Sequence, residues 1–235
     1  MSDSGRPIGT GLHDPVLETI GMEITCGELP AGHVLTLDGI GERFGVSRTV
    51  AREAMRVLES MCLVQSRRRV GITVRPREEW NVFDPRVIWW RLSGSDRDAQ
   101  LRSLTELRIA VEPLAAASAA RGASAAERSR VVELATSLRK LGEAAELTEF
   151  MEADVEFHTL LLRAGGNEMF AALSNVVGSV LRGRTQLGLM PHQPVPEALD
   201  LHEAVAEAVA AGRAADAEDA MRKLLAEVRT AVLPS

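Results

Sequence analysis

Asp154 and His158 stand four residues apart in the stretch ADVEFHTLLL, residues 153–162, among Phe157, Leu160, Leu161 and Leu162. On a helix, residues at this spacing share a face. Asp154 has Phe150 at i−4 and Phe157 at i+3, and His158 has Val155 at i−3 and Leu162 at i+4, so both point inward. His202, with Leu199, Val205 and Ala206 as helical neighbours, points inward too. Burying such groups without partners is costly. An Asp and two His from two helices of a bundle can bind a divalent metal, zinc or a similar ion. Without a metal, the same residues make a hydrogen-bonded Asp–His pair. Arg108, with Leu104 at i−4 and Val111 at i+3, borders the buried face, where a guanidinium favours forked binding of a carboxylate. A polar stripe of Asn175, Ser179, Arg182 and Gln186 either faces solvent or lines a polar cavity.

These residues must be positioned by helices, because nothing from residue 97 to 231 reads as a strand. Helical patterns cover roughly 98–121, 125–142, 146–164, 168–188, 197–211 and 214–231. Gly122, Gly142, Gly165-Gly166 and Gly212 separate several of them, and Pro191, Pro194 and Pro196 break the chain before Glu197. The segment 97–231 is therefore an all-α bundle.

The first 78 residues are organised differently. Residues 1–11 read as a disordered tail. A helix from Val16 to Cys26 stops at Gly27, and GELPAG makes a turn. A short helix, roughly Leu37 to Phe44, ends at Gly45. Ser47 then caps a helix carrying Val50, Ala54, Val57, Leu58 and Met61 on one face. CLVQS and GITVRP read as a two-stranded hairpin around RRRV. Residues 79–96 hold Trp80, Trp89, Trp90 and Asp84-Pro85 and read as a packed linker rather than a loose tether. The fold class is mainly α: a small α+β winged helix-turn-helix at 12–78, then the helical domain.

The chain has 235 residues, which suggests two domains. It has no run of 18 apolar residues and no signal-peptide pattern, so no membrane partner is expected. Cys26 and Cys62 lack metal-type spacing and fit free thiols in a reducing cytoplasm. Net charge is −6, yet between Asp38 and Arg77 nine arginines face four carboxylates. That asymmetry marks an anion-binding face. Ser47, Arg48, Thr49 and Arg52 point outward from the first turns of the capped helix. A recognition helix enters the major groove of double-stranded DNA in this way, with Arg forking onto guanine. Arg68, Arg69 and Gly71 form the tip of a wing that reaches a neighbouring groove. One such helix covers a half-site, so a homodimer on operator DNA is expected.

LDGIGERFGVSRTVAREAMRVLES and LVQSRRRVGITV resemble the winged helix of the GntR superfamily of bacterial transcription regulators. The match departs at Asp38, where some members place a DNA-contacting Arg. LTELRIAVEPLAAASAA, DVEFHTLLLRAGGNEMF and LHEAVAEAVAAGRAADAEDAM resemble the FCD-type helical ligand-binding domain of the FadR-like branch. EEWNVFDPRVIWW is similar to the linker of the subgroup that responds to sugar acids. The resemblance implies a repressor of a catabolic operon, controlled by a small carboxylate effector and a divalent metal. It favours a cavity lined by Arg108, Asn175 and Arg182. The family pattern also implies a fourth ligand, a His, where this chain has Leu224. Three protein ligands leave room for water or an effector carboxylate, or weaken metal retention. Two rival readings are a metal-dependent hydrolase built on Asp154, His158 and His202, and a constitutive DNA-binding protein with a vestigial pocket. The hydrolase needs a general base, and the nearby Glu156 and Glu203 are expected to point away.

Overall fold

The computed structural model describes residues 14–188 and 194–232. The tail expected at residues 1–11 and the break at Pro191 lie outside the described residues. The chain divides into two compact units, with the boundary between Asp96 and Arg97.

The first unit contains α1 (Asp14–Thr25), β1 (Val34–Leu35), α2 (Leu37–Phe44), α3 (Arg48–Ser60), β2 (Val64–Arg67), β3 (Gly71–Val74) and α4 (Pro85–Ser93). Local chemistry sets the turn between α2 and α3. Thr36 opens α2 by accepting a hydrogen bond from Gly39 N, and Gly45 closes it at φ +64°, a left-handed conformation that glycine adopts without strain. Ser47 then opens α3 by accepting from Val50 N at 3.3 Å. The buried face of α3 is Ala51, Ala54, Met55 and Leu58; Val50 and Val57, expected inward, are half-buried at its edge.

The expected two-stranded hairpin is a three-stranded antiparallel sheet in the order β1-β3-β2, with Val34 opposite Thr73 and Val64 opposite Val74. A two-residue strand is too short to show alternation in sequence, which is why β1 was not anticipated. The expected packed linker contains α4, capped by Asp84 with Pro85 in its first turn. Trp90 of α4 is fully buried, and its Nε1 donates to Glu18 Oε2 at 2.5 Å. The indole lies where a Cβ on Gly21 of α1 would collide with it, so this contact requires glycine.

The second unit comprises α5 (Arg97–Gly122), α6 (Ala125–Glu143), α7 (Leu147–Ala164), α8 (Glu168–Ala172), α9 (Ser174–Gln186), α10 (Pro196–Ala210) and α11 (Ala214–Val232). It holds no strand among the described residues. α11 packs on α5 and α10, α6 on α7 and α10, and α7 on α9. Arg128 ties the bundle by donating to the carbonyls of Ala120, Ala123, Val209 and Ala210 at the ends of α5 and α10. The single helix expected at 168–188 is two helices. At the break, Ser174 donates its hydroxyl to Ala171 O at 2.7 Å, engaging a carbonyl of the helical ladder. Leu224 sits in the apolar core with Phe157, Val205, Met221 and Leu225.

Candidate functional site

Four helices converge on a buried polar cluster. α7 supplies Asp154 and His158, α10 supplies His202, α5 supplies Arg108 and Glu112, and α9 supplies Arg184; all six are buried. One donor atom from each of Asp154, His158 and His202 lies within 4.8 Å of the others.

Hydrogen-bond partners decide the histidine tautomers. His202 Nδ1 is 2.6 Å from Ala198 O, a pure acceptor, so Nδ1 carries a proton and donates it. His202 Nε2 then faces Asp154 Oδ1 at 3.1 Å. His158 repeats the pattern. Its Nδ1 lies 2.5 Å from Glu112 Oε2, off the line of a good hydrogen bond, and its Nε2 lies 3.4 Å from Asp154 Oδ1. Two imidazole Nε2 atoms thus converge on one carboxylate oxygen while their Nδ1 atoms face oxygen acceptors. With neutral rings, three lone pairs meet there; Arg108 Nη2 lies 3.4 Å from His158 Nε2 and supplies one long donor contact, and a cation or an added proton satisfies the rest. Metal-binding histidines are oriented this way, with the far nitrogen held by a carbonyl or carboxylate. The donor set therefore fits a divalent ion.

The electrostatics show that the cluster favours added positive charge, a proton on His158 included. Burial disfavours the charged form of Glu112, but Arg108 and then His158 outweigh it and hold its carboxyl down at about 2. Burial likewise opposes charge on His158, yet Glu112 and Asp154 raise it to about 8. Asp154 is held well below the usual carboxylate range by the two histidines, against its desolvation. Arg184 is the exception. Burial and the neighbouring Arg108 push it down to about 10, with Asp154 pulling the other way. Among the described residues no carboxylate pairs with Arg184, and its Nε has no hydrogen-bond partner.

The structure brings together Asp154, His158, His202 and Arg108 from the sequence reading. Arg108 is already engaged, its Nε 2.5 Å from Glu112 Oε1. Asn175 and Arg182 are elsewhere: Asn175 is exposed, and Arg182 is 44% exposed and paired with Glu152 at 3.0 Å. The stripe expected to line a cavity thus lies on the outer side of α9. Arg184, two residues beyond Arg182, is the arginine that α9 turns inward. Its signal was present in sequence, since it follows Val177, Val180 and Leu181 at helical spacing. Glu112 was missed as well, though it stands at i+4 from Arg108 and precedes the buried Ala115 and Ala116. Glu156 and Glu203 are engaged by Arg130 and Arg139 instead.

In the first unit, Ser47, Arg48, Thr49 and Arg52 are exposed at the start of α3, and Arg68 and Arg69 are exposed in the turn between β2 and β3, just before Gly71. A cleft of about 530 Å³ runs between α3 and the wing, lined among others by Asp38, Arg48, Arg52, Arg56 and Gly71. Glu59 at the end of α3 accepts from Ser66 N at 2.7 Å and fixes the wing against the helix.

A winged helix with an exposed arginine-bearing helix, followed by a helical bundle with a buried acid–histidine cluster, defines a ligand-responsive DNA-binding regulator. The comparisons agree: the bacterial regulatory proteins of the gntR family match residues 12–74, and the FCD domain matches residues 103–227. The chain belongs to the GntR family, in its FadR-like branch with an FCD domain. It is 28% identical over 200 residues to the galactonate operon transcriptional repressor of Escherichia coli K12, covering 83% of this chain and 86% of that protein. It is 30% identical over 208 residues to the regulator LutR of Bacillus subtilis strain 168, covering 86% and 92%. A probable D-xylose utilization operon repressor of Paenarthrobacter nicotinovorans is 26% identical, covering 93% and 87%. Among solved structures, the Listeria monocytogenes protein Lar shares the fold at a TM-score of 0.57 and 16% identity, covering 98% of both chains. No helix among the described residues is long and apolar enough to cross a membrane.

Proposed function

We propose that the protein is a cytoplasmic repressor whose helical unit senses a small carboxylate of the sugar-acid type together with a divalent metal. The observation that carries this reading is the convergence of two histidine Nε2 atoms on Asp154 Oδ1, with the buried Arg184, unpaired among the described residues, interacting with the same Asp154. Asp154, His158 and His202 would hold the ion. When bound, a divalent ion supplies a positive charge with positions left open for an oxygen ligand. Arg184 supplies the fork for the acid, because a buried guanidinium without a partner is satisfied by a carboxylate. Arg108, neutralised by Glu112, keeps His158 in place rather than meeting the ligand. The likeness to a galactonate operon repressor and a probable D-xylose operon repressor supports a sugar-derived effector.

The acid shifts DNA affinity only by its differential binding to two arrangements of the protein. We read the active form as a homodimer on a pseudo-palindromic operator, so sedimentation should give about twice the 25.4 kDa chain mass.

The test uses untagged protein. Elemental analysis should find near-stoichiometric metal in wild type and little in His158→Ala. Melting with a panel of sugar acids should show stabilisation that Arg184→Met loses. Metal-free wild type that still responds to an acid would remove the metal from the reading. Wild type that responds to neither metal nor acid would overturn it.

A further inference from the structure

Asp38 carries the wrong charge for its place. It lies in the first turn of α2 and lines the same cleft as Arg48, Arg52 and Arg56. A carboxylate on that face is repelled by the phosphates of any DNA that docks there. Its contact explains how it is used. Arg48 Nη1 donates to Asp38 Oδ1 at 3.0 Å and reaches Oδ2 at 3.3 Å.

We propose that Asp38 is a specificity-determining residue that acts through Arg48: it fixes the guanidinium by its Nη1 group and leaves the Nε–Nη2 edge to read one guanine of the operator. The proposal rests on the reading of α3 as the recognition helix. A guanidinium has five N–H donors in a rigid plane. With Nη1 occupied, Nε–H and Nη2–H remain on one edge, and that edge matches guanine O6 and N7 as a bidentate acceptor. An exposed Arg without such a brace samples many rotamers and meets phosphates as readily as bases. Arg52, one turn further along α3, has no acidic partner among the described residues and is free to do so. The carboxylate adds discrimination against other sequences. Its desolvation on docking is offset only while Arg48 stays paired and its free edge is satisfied; a base that cannot accept the fork leaves both charges poorly compensated.

The experiment uses the full chain and five proteins: wild type, Asp38→Asn, Asp38→Glu, Arg48→Ala, and the Asp38→Asn/Arg48→Ala double variant. The probe is the duplex that wild type enriches from a random pool, together with its single-base-pair variants and an unselected duplex. Wild type should discriminate about tenfold at one base pair per half-site, and Asp38→Asn only about twofold. Asp38→Asn should also bind the unselected duplex several-fold more tightly. Asp38→Glu should keep the preference. Arg48→Ala should lose the same preference, and adding Asp38→Asn should then change nothing at that base pair. Equal melting temperatures guard against a folding effect, since both side chains are exposed. Full discrimination in Asp38→Asn, or its loss at a base pair that Arg48→Ala leaves untouched, overturns the proposal alone. Wild type that enriches no base pair overturns both the proposal and the recognition-helix reading beneath it.

Discussion

The Arg48–Asp38 pair is 3.0 Å long with side chains 62% and 69% exposed, whereas the Arg108–Glu112 pair is 2.5 Å long with both side chains 2% exposed. The chemistry of the two pairs is the same and the solvent is not. Water and salt screen the first, so it contributes little to stability, and it occupies only the Nη1 group of Arg48. The second has lost its hydration, so neither charge can be removed without stranding the other. Charges at the surface can thus be removed at little cost, while charges in the bundle core must stay paired. Arg184 belongs to neither kind: it is buried and, among the described residues, no carboxylate pairs with it.

The sharpest way to break this comparison is to strand a buried charge. Glu112→Gln leaves Arg108 uncompensated and should destabilise the protein by about 3–5 kcal/mol in denaturant unfolding. A loss below about 1 kcal/mol would mean that Arg108 is hydrated and that the contrast with the surface pair is false. Arg184→Met tests the same idea with the opposite sign. Removing an unpaired buried charge should stabilise the ligand-free protein by about 1–4 kcal/mol while abolishing the melting response to sugar acids. Destabilisation instead would indicate that Arg184 has a structural partner. On the exposed side, Arg52→Ala should cost operator binding about 1–3 kcal/mol if it reads a base. Arg68→Ala should weaken all sequences alike and lower the salt slope by about 1, measured by titration at several salt concentrations. The smallest effect belongs to Asp38→Ala, which should change folding stability by less than about 0.5 kcal/mol.

The two regions also differ in how far sequence could be read. The turn between α2 and α3 is specified by adjacent residues: Thr36 and Ser47 cap, and Gly45 takes the positive φ. Such features depend on a few neighbouring dihedral angles and can be recognised without knowing what packs around them. β1 escaped because its pairing with β3 links residues nearly forty positions apart, and two residues carry no period. In the bundle, helical spacing was enough to orient Asp154, His158 and His202. The same rule would have found Arg184 and Glu112, but a polar stripe drew attention to Asn175 and Arg182, which the fold leaves on the outside.

By itself the sequence determined the winged helix, the all-α second domain and the inward direction of one acid and two histidines, because these follow from caps, glycines and periodicity within single elements. Tertiary structure alone decided which charges meet. That Arg108 is claimed by Glu112, that Glu112 also faces His158, that Asp38 holds Arg48 and that no carboxylate among the described residues pairs with Arg184 all depend on how side chains are arranged in space. Spacing gives the direction of a side chain from its helix, but a pair forms only within a few ångströms, and in low dielectric that distance decides whether a buried charge is satisfied or waits for a ligand.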